Sequence, residues 1–300
     1  MLLSLLLGFV TGAALLGGLG WWQHRRTRRA LAQLAEQVRR LSLAAPSLRL
    51  PSTSAPAETG QLIGSLNELL ARHQAATDDQ RRLLVQAAHK LRTPLTSITG
   101  QIEVTLIKAR SVEQHEQTWR SVLQDVTRFN QLADDLLLLA QLPGSRLVAQ
   151  PVALDEVIYQ AISVLKARRP AYEMQLDFAS PLAELPGPLT VPGDADLLTR
   201  ALVHLLDNAG KFSPDQRGLV TLSTDGAAAL LLIQDYGLGI PPAELPRVSE
   251  LFFQGENARQ RPGHGLGLTV AQRIVELHGG HLRIESDDAG TVVTVRLPLR

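Results

Sequence analysis

The sequence contains no cysteine, which excludes disulfides, thiolate metal sites and cysteine nucleophiles, so any catalysis must use other side chains. It also lacks an excess of charge of either sign. Thirty basic residues against 29 acidic ones leave a formal net charge of +1. That total suggests neither a nucleic-acid-coating surface nor an acidic tail, and no direct nucleic-acid partner is expected. No internal repeat is evident, and no second transmembrane-length apolar run follows the one at the N-terminus. At 300 residues there is room for two or three modest domains, since single domains run to roughly 100–200 residues.

Residues 1–22, MLLSLLLGFVTGAALLGGLGWW, hold no charged side chain. As a helix they would span about 33 Å, enough for a bilayer core, and a transmembrane helix is the expected reading. Trp21 and Trp22 would sit at headgroup level, with Arg25, Arg26, Arg28 and Arg29 following on the cytoplasmic side. The expectation is a single-pass protein of the cytoplasmic (inner) membrane with its bulk inside. A cleaved signal peptide is the competing reading; against it stand the missing charged n-region and the missing small-x-small site.

Residues 24–43 place Leu31, Leu34, Val38 and Leu41 at helical spacing, and a Pro/Ser/Ala connector, APSLRLPSTSAPAE, follows. A second helix beginning near Glu58 lines up Leu62, Ile63, Leu66, Leu69 and Leu70. From 79 to 143 two long helical patterns are separated near Ala109–Glu113, the second rich in leucine up to Leu142, with Pro143 and Gly144 as the stop. One such hairpin exposes too much apolar face, whereas two would bury it in a four-helix bundle, so a homodimer is expected. Residues 150–300 form an α+β domain. Strand-like runs fall at Val220–Thr224, Leu230–Gln234, His281–Ser286 and Thr291–Leu297, and helical ones at Leu154–Lys166, Ala195–Asn208 and Leu268–Leu277.

Four strings stand out. The first is His89-Lys-Leu-Arg-Thr-Pro-Leu-Thr, inside the first hairpin helix. Pro94 cannot donate to the carbonyl of Lys90, which predicts a helix bent or loosened beside the histidine. The second, Leu202-Val-His-Leu-Leu-Asp-Asn-Ala-Gly-Lys-Phe-Ser-Pro214, puts His204 and Asn208 on one helix face with Lys211 and Phe212 just beyond. The third, Asp235-Tyr-Gly-Leu-Gly-Ile-Pro, follows an apolar strand, and the fourth, Gly263-His-Gly-Leu-Gly-Leu-Thr269, opens a helix. His278 and His281, in Leu277-His-Gly-Gly-His, read as part of a structural turn rather than as metal ligands.

In this order, over residues 79–300, these strings resemble the H, N, G1 and G2 boxes of the sensor histidine kinases of two-component systems. The helix-connector-helix at 23–78 is similar to a HAMP signalling module, with a plain coiled-coil linker as the alternative. The resemblance implies a helical-hairpin phosphotransfer domain at 79–143 and a Bergerat-type α/β-sandwich ATP-binding domain at 150–300. It implies ATP with Mg²⁺ as cofactors, His89 as the phosphoacceptor, and Thr93, one turn on, as the residue that orients a water in dephosphorylating the partner. It further implies a response-regulator receiver domain as partner. A neutral amide oxygen on Asn208 suits Mg²⁺, and Lys211 a phosphate. Asp235 suits the exocyclic amine of adenine, with Gly237 and Gly239 against the ring and Phe212 beside the site. Gly263, Gly265 and Gly267 at a helix N-terminus suit the phosphates.

Three departures from the family pattern bear on activity. Lys90 stands where an acidic residue normally handles the proton of the phosphoacceptor. His204 stands where asparagine is usual. Ser249, Leu251 and Gln254 replace an aromatic and two basic residues in the segment resembling the F box, with Arg259 and Arg261 as substitutes for the lost phosphate contacts. The alternative function is therefore a weakened ATP-binding signalling scaffold or response-regulator phosphatase. No external sensory domain is evident, so sensing would fall to the membrane, to a membrane sensory partner, or to the cell interior.

Overall fold

A computed structural model describes residues 57–107, 111–142, 147–179, 188–258, 261 and 263–299, with 17, 18, 21, 25, 28, 35 and 36 as isolated positions. The expected transmembrane helix at 1–22 and the first helix and connector at 23–56 lie almost wholly outside the described residues. Among the described residues no helix is long and apolar enough to cross a membrane.

The chain divides into two compact units, Met1–Leu84 and Val85–Arg300. Helix α1, Ala57–Ile107, belongs to both and runs unbroken through Pro94. In the first unit its Ile63 and Leu83 are buried, and Arg72 pairs with Glu68 one turn away at 2.6 Å on the surface.

In the second unit, α1 is followed by α2, Val112–Gln141. Its start is fixed by a reciprocal cap: the Ser111 hydroxyl accepts from the Gln114 N–H, and the Gln114 side chain accepts from the Ser111 N–H. The Gln101 amide donates to Asp125 at 3.0 Å and so pins the register of the two helices. Leu132, Leu136 and Leu139 are buried along one stripe of α2, while Val85, Leu95, Val104 and Leu137 stay exposed.

The remainder is a two-layer sandwich. Its five-stranded sheet has the order β2 (Glu173–Phe178), β4 (Arg217–Thr224), β5 (Ala228–Asp235), β7 (Gly290–Pro298), β6 (His281–Asp287). Only β2 and β4 run parallel. A second, two-stranded sheet pairs β1 (Gln150–Ala153) with β3 (Thr190–Gly193). Helices α3 (Leu154–Arg168), α4 (Ala195–Phe212) and α5 (Gly267–Leu277) form the other layer, with α4 against β2, β4 and β5 and α5 against β6 and β7. The sequence demands this arrangement. Val220 and Leu222 on β4, and Leu231 and Ile233 on β5, alternate into the core. Opposite them, α4 buries Leu198, Ala201, Leu202, Leu205, Leu206 and Ala209 at helical spacing. Each buried leucine contributes roughly 1.5–3 kcal/mol relative to exposure.

The two edge strands are polar on their outer face. Glu173, Gln175 and Asp177 of β2, and His281, Arg283, Glu285 and Asp287 of β6, are exposed at every second position.

Candidate functional site

A cavity of about 1340 Å³ opens within the second unit, between α2 on one side and α4, the β5 end and the 235–267 loops on the other. Asn208, Lys211, Phe212, Asp235, Gly239, Gly263, Gly265 and Gly267 all line it. Gly237 does not; its N–H donates to the Asp235 carboxylate. His89 and Thr93 are exposed on α1 and are not among the lining residues.

Asp235 ends β5 and is buried. Its Oδ1 accepts from the N–H of Gly237 at 2.9 Å and from the N–H of Thr291 at 3.1 Å, so the carboxylate is aimed by backbone on both sides. Burial pushes its pKa up, and those hydrogen bonds partly offset the rise. A Cβ on Gly237 would meet the Phe212 carbonyl at 2.7 Å, and one on Gly239, at φ +68°, would run into the Asp287 carbonyl. Thr291 was not legible as a site residue, because it comes from a strand 56 positions away.

Beside this carboxylate the cavity turns basic. Lys211, largely buried, has its pKa lowered by desolvation first, with Arg261 and Arg169 adding to the effect and Asp207 opposing it. Its ammonium lies 4.6 Å from the centre of the Phe212 ring, and the Arg261 guanidinium lies 5.6 Å from the same ring. The structure thus sets Arg261 where the sequence expected a substitute cation, while Arg259 lies outside the described residues. A Cβ on Gly263 would fall 2.6 Å from the Lys211 Nζ. Gln254 donates to the Gly263 carbonyl at 2.6 Å, so this departure from the pattern braces the glycine loop. Gly265, at φ +72°, packs on Phe252, itself at φ +63°, a left-handed conformation costly for a bulky side chain. The Phe252 N–H donates to the Gly265 carbonyl at 2.9 Å and holds the turn. His264, between these glycines, has its pKa lowered by burial.

Asn208 is half-buried on the cavity wall. Among the described residues no group of three or more His, Asp or Glu could hold a metal ion. The Asn208 amide oxygen, at the cavity wall beside Lys211, suits a cation that takes one neutral oxygen from the protein and the rest from phosphate and water. His204 does not turn to that position, since its Nε2 lies 3.0 Å from the Asp135 Oδ1 on α2. His278 is a satisfied core residue, as expected of the turn. Its Nε2 accepts from the Asp194 N–H at 3.0 Å and its Nδ1 donates to the Ile274 carbonyl at 2.7 Å.

On α1, Thr93 donates to the His89 carbonyl at 3.3 Å. The Lys90 ammonium reaches across to lie 5.9 Å from the Phe252 ring centre. Helix α1 and the glycine-rich turn around Gly265 thus meet at a cation and an aromatic ring.

Residues 193–300 match the family described as histidine kinase-, DNA gyrase B-, and HSP90-like ATPase, and residues 63–144 match the His Kinase A (phospho-acceptor) domain. The signal transduction histidine-protein kinase/phosphatase MprB of Mycobacterium avium is 33% identical over 304 residues, covering 97% of this chain and 56% of MprB. The sensor histidine kinase CusS of Escherichia coli is 28% identical over 273 residues, covering 89% of this chain and 56% of CusS. The chain thus spans about half the length of the curated relatives it matches. Among solved structures, histidine kinase ThkA, determined with response regulator protein TrrA, shares the fold. Its TM-score is 0.62 at 17% identity, covering 78% of this chain and 66% of ThkA.

Proposed function

The chain belongs to the sensor histidine kinases of two-component signalling, and we propose that it phosphorylates its own His89 from ATP and passes the phosphoryl group to an aspartate of a response regulator. The observation that carries this is the convergence of Asp235, Asn208, Lys211 and two glycine turns on one cavity, in the same compact unit as His89.

In this reading Asp235 accepts the adenine amine, Lys211 and Arg261 meet the phosphates, and the backbone at Gly263 and Gly265 lies against them. Asn208 would hold a magnesium ion together with phosphate oxygens, and the ion would supply charge neutralisation at the γ-phosphate. A neutral imidazole nitrogen of His89 attacks phosphorus; the N–P bond forms as the bond to the β-γ bridging oxygen breaks, and ADP leaves. Exposed His89 gives its proton to solvent, because charged Lys90 cannot take it. In the second step a receiver carboxylate attacks the same phosphorus and the N–P bond breaks. Thr93, one turn from His89, would orient water for the reverse, dephosphorylating activity, once its hydroxyl leaves the His89 carbonyl. MprB is named for both kinase and phosphatase activity.

Three further parts of the reading rest on sequence and surface. The uncharged residues 1–22 followed by arginines support an anchor in the cytoplasmic membrane, and 23–78 a HAMP-like linker. The exposed Val85, Leu95, Val104 and Leu137 support a homodimer through the hairpin.

The test is the full chain in detergent micelles with γ-labelled ATP and Mg²⁺. Acid-labile label on wild type, lost in His89→Gln and in Asn208→Ala, is the expected result. Nucleotide binding without label on wild type, with label appearing in Lys90→Glu, would overturn it in favour of a degenerate kinase serving as scaffold or phosphatase.

A further inference from the structure

His204 stands at a position where the resemblance leads one to expect asparagine, and its imidazole is held from two sides. A Cβ on Gly267, the first residue of α5, would lie 3.0 Å from Nδ1. On the other side Nε2 meets the Asp135 carboxylate at 3.0 Å, both side chains being mostly shielded from solvent at 25% and 17% exposure. The ring is therefore wedged where α4, α5 and α2 come together. Its sequence offset matters as well, because His204 precedes Asn208 by one helical turn and shares its face of α4.

The level of this contact along the hairpin follows from its register. Gln101 of α1 bonds to Asp125 of α2. In an antiparallel pair, moving twelve residues back along α1 to His89 matches moving twelve forward along α2 to Leu137. Asp135 is two residues from that level, about 3 Å along the axis. His204 thus touches the hairpin at the height of the phosphoacceptor. Lys90 over Phe252 is a second contact at the same height, made by the other hairpin helix.

We infer that His204 is a positioning residue. Through its bond to Asp135 it docks the ATP-binding domain on the second hairpin helix at the level of His89, and the position is given over to docking rather than to metal binding. This rests on the kinase reading above. Asparagine is too short to span to Asp135 from α4, whereas glutamine reaches about as far as the imidazole and can still donate.

Two measurements on the full chain test it. Amide hydrogen exchange compares wild type with His204→Asn, and protection of the α2 turn around Asp135 reports the docked geometry directly. Loss of that protection in His204→Asn and its recovery in His204→Gln are expected; protection unchanged in His204→Asn would overturn the docking. In kinetics, His204→Asn and Asp135→Ala should each lower the rate of His89 labelling by about tenfold or more, as misplacement of a reacting group does. Nucleotide affinity should stay within about twofold, the pattern of a lost positioning contact. The double variant should be no slower than the slower single, and His204→Gln should recover much of the rate. Unchanged labelling in both single variants, or a parallel loss of nucleotide affinity, would overturn the inference. Wild type that binds ATP but carries no label would instead sink the kinase reading, with the exchange measurement still deciding whether the domain docks.

Discussion

The ATP-binding domain and the helical hairpin solve the problem of apolar surface in opposite ways. The domain closes on itself: strands alternate residue by residue, α4 presents a matching stripe, and Leu206, Ile233 and Ile274 are almost entirely buried. The hairpin buries Leu132 and Leu139 but leaves Leu95, Leu123 and Leu137 in the open. One region is complete as a single chain, and the other would be completed by the second copy proposed above. Stability in the first is therefore a property of packing, and in the second a property of concentration.

Substitutions can break or sharpen that contrast. The largest effect is expected from Leu206→Ala, at 1% exposure, which should cost the domain about 4 kcal/mol through lost burial and a residual cavity. Calorimetry is the right probe, because all three tryptophans, Trp21, Trp22 and Trp119, lie outside the domain; its transition should fall while hairpin helicity persists. Next comes Leu95→Asp on the open face, 48% exposed in the single chain. A charge forced into the dimer contact should weaken association by on the order of 3 kcal/mol, visible by sedimentation, with the domain's transition unmoved. If both variants shifted both readouts, the contrast would be lost.

Asp235→Asn is a smaller step that separates site from scaffold. The amide oxygen can still accept from Gly237 and Thr291, and burial already disfavours the charge. Thermal stability should hold or rise, while ATP affinity falls at least tenfold, about 1.4 kcal/mol, as read by calorimetric titration. The pH response follows from His264. Its folded pKa is lowered by burial below 6.5, so the unfolded chain binds its proton first. The stability tied to the neutral ring is complete above about 6.5 and is lost as pH falls through the folded value. The melting temperature should drop on acidification below 6.5, and less so in His264→Asn. Smallest of all, Arg120→Ala removes an exposed pair with Glu116 and should change stability by less than about 0.5 kcal/mol.

Where the chain alternates or repeats at helical spacing, the sequence was readable. The strands β4 to β7 and the helices α3 to α5 fall where the pattern put them, with α4 running on to Phe212. The strands β1, β2 and β3 were missed for a physical reason. β1 and β3 are four residues each, and β2 is an edge whose exposed Glu173, Gln175 and Asp177 dilute the apolar signal. The site shows the same division. Asn208, Lys211, Asp235, Gly239, Gly263, Gly265 and Gly267, which the fold brings to one cavity, each sit in a short string whose chemistry is local, whereas Gly237 does not line that cavity. Asp135, Thr291 and the bracing role of Gln254 could not be read, since each acts on a partner far along the chain or, for Gln254, across a turn nine residues long. His204 was read as a lost metal-side contact, and only the fold reveals a carboxylate waiting for it on another helix.

The charged borders of the sheet matter most in the assembled dimer. Two ATP-binding domains tethered to one bundle would face each other at an effective concentration in the millimolar range. At such crowding a bare strand edge invites its twin to zip onto it, producing a joined pair unable to visit either hairpin. In such a dimer the Arg283, Glu285 and Asp287 row on β6 and the Glu173 and Asp177 row on β2 would keep the siblings strangers, leaving each domain free to come and go from the bundle.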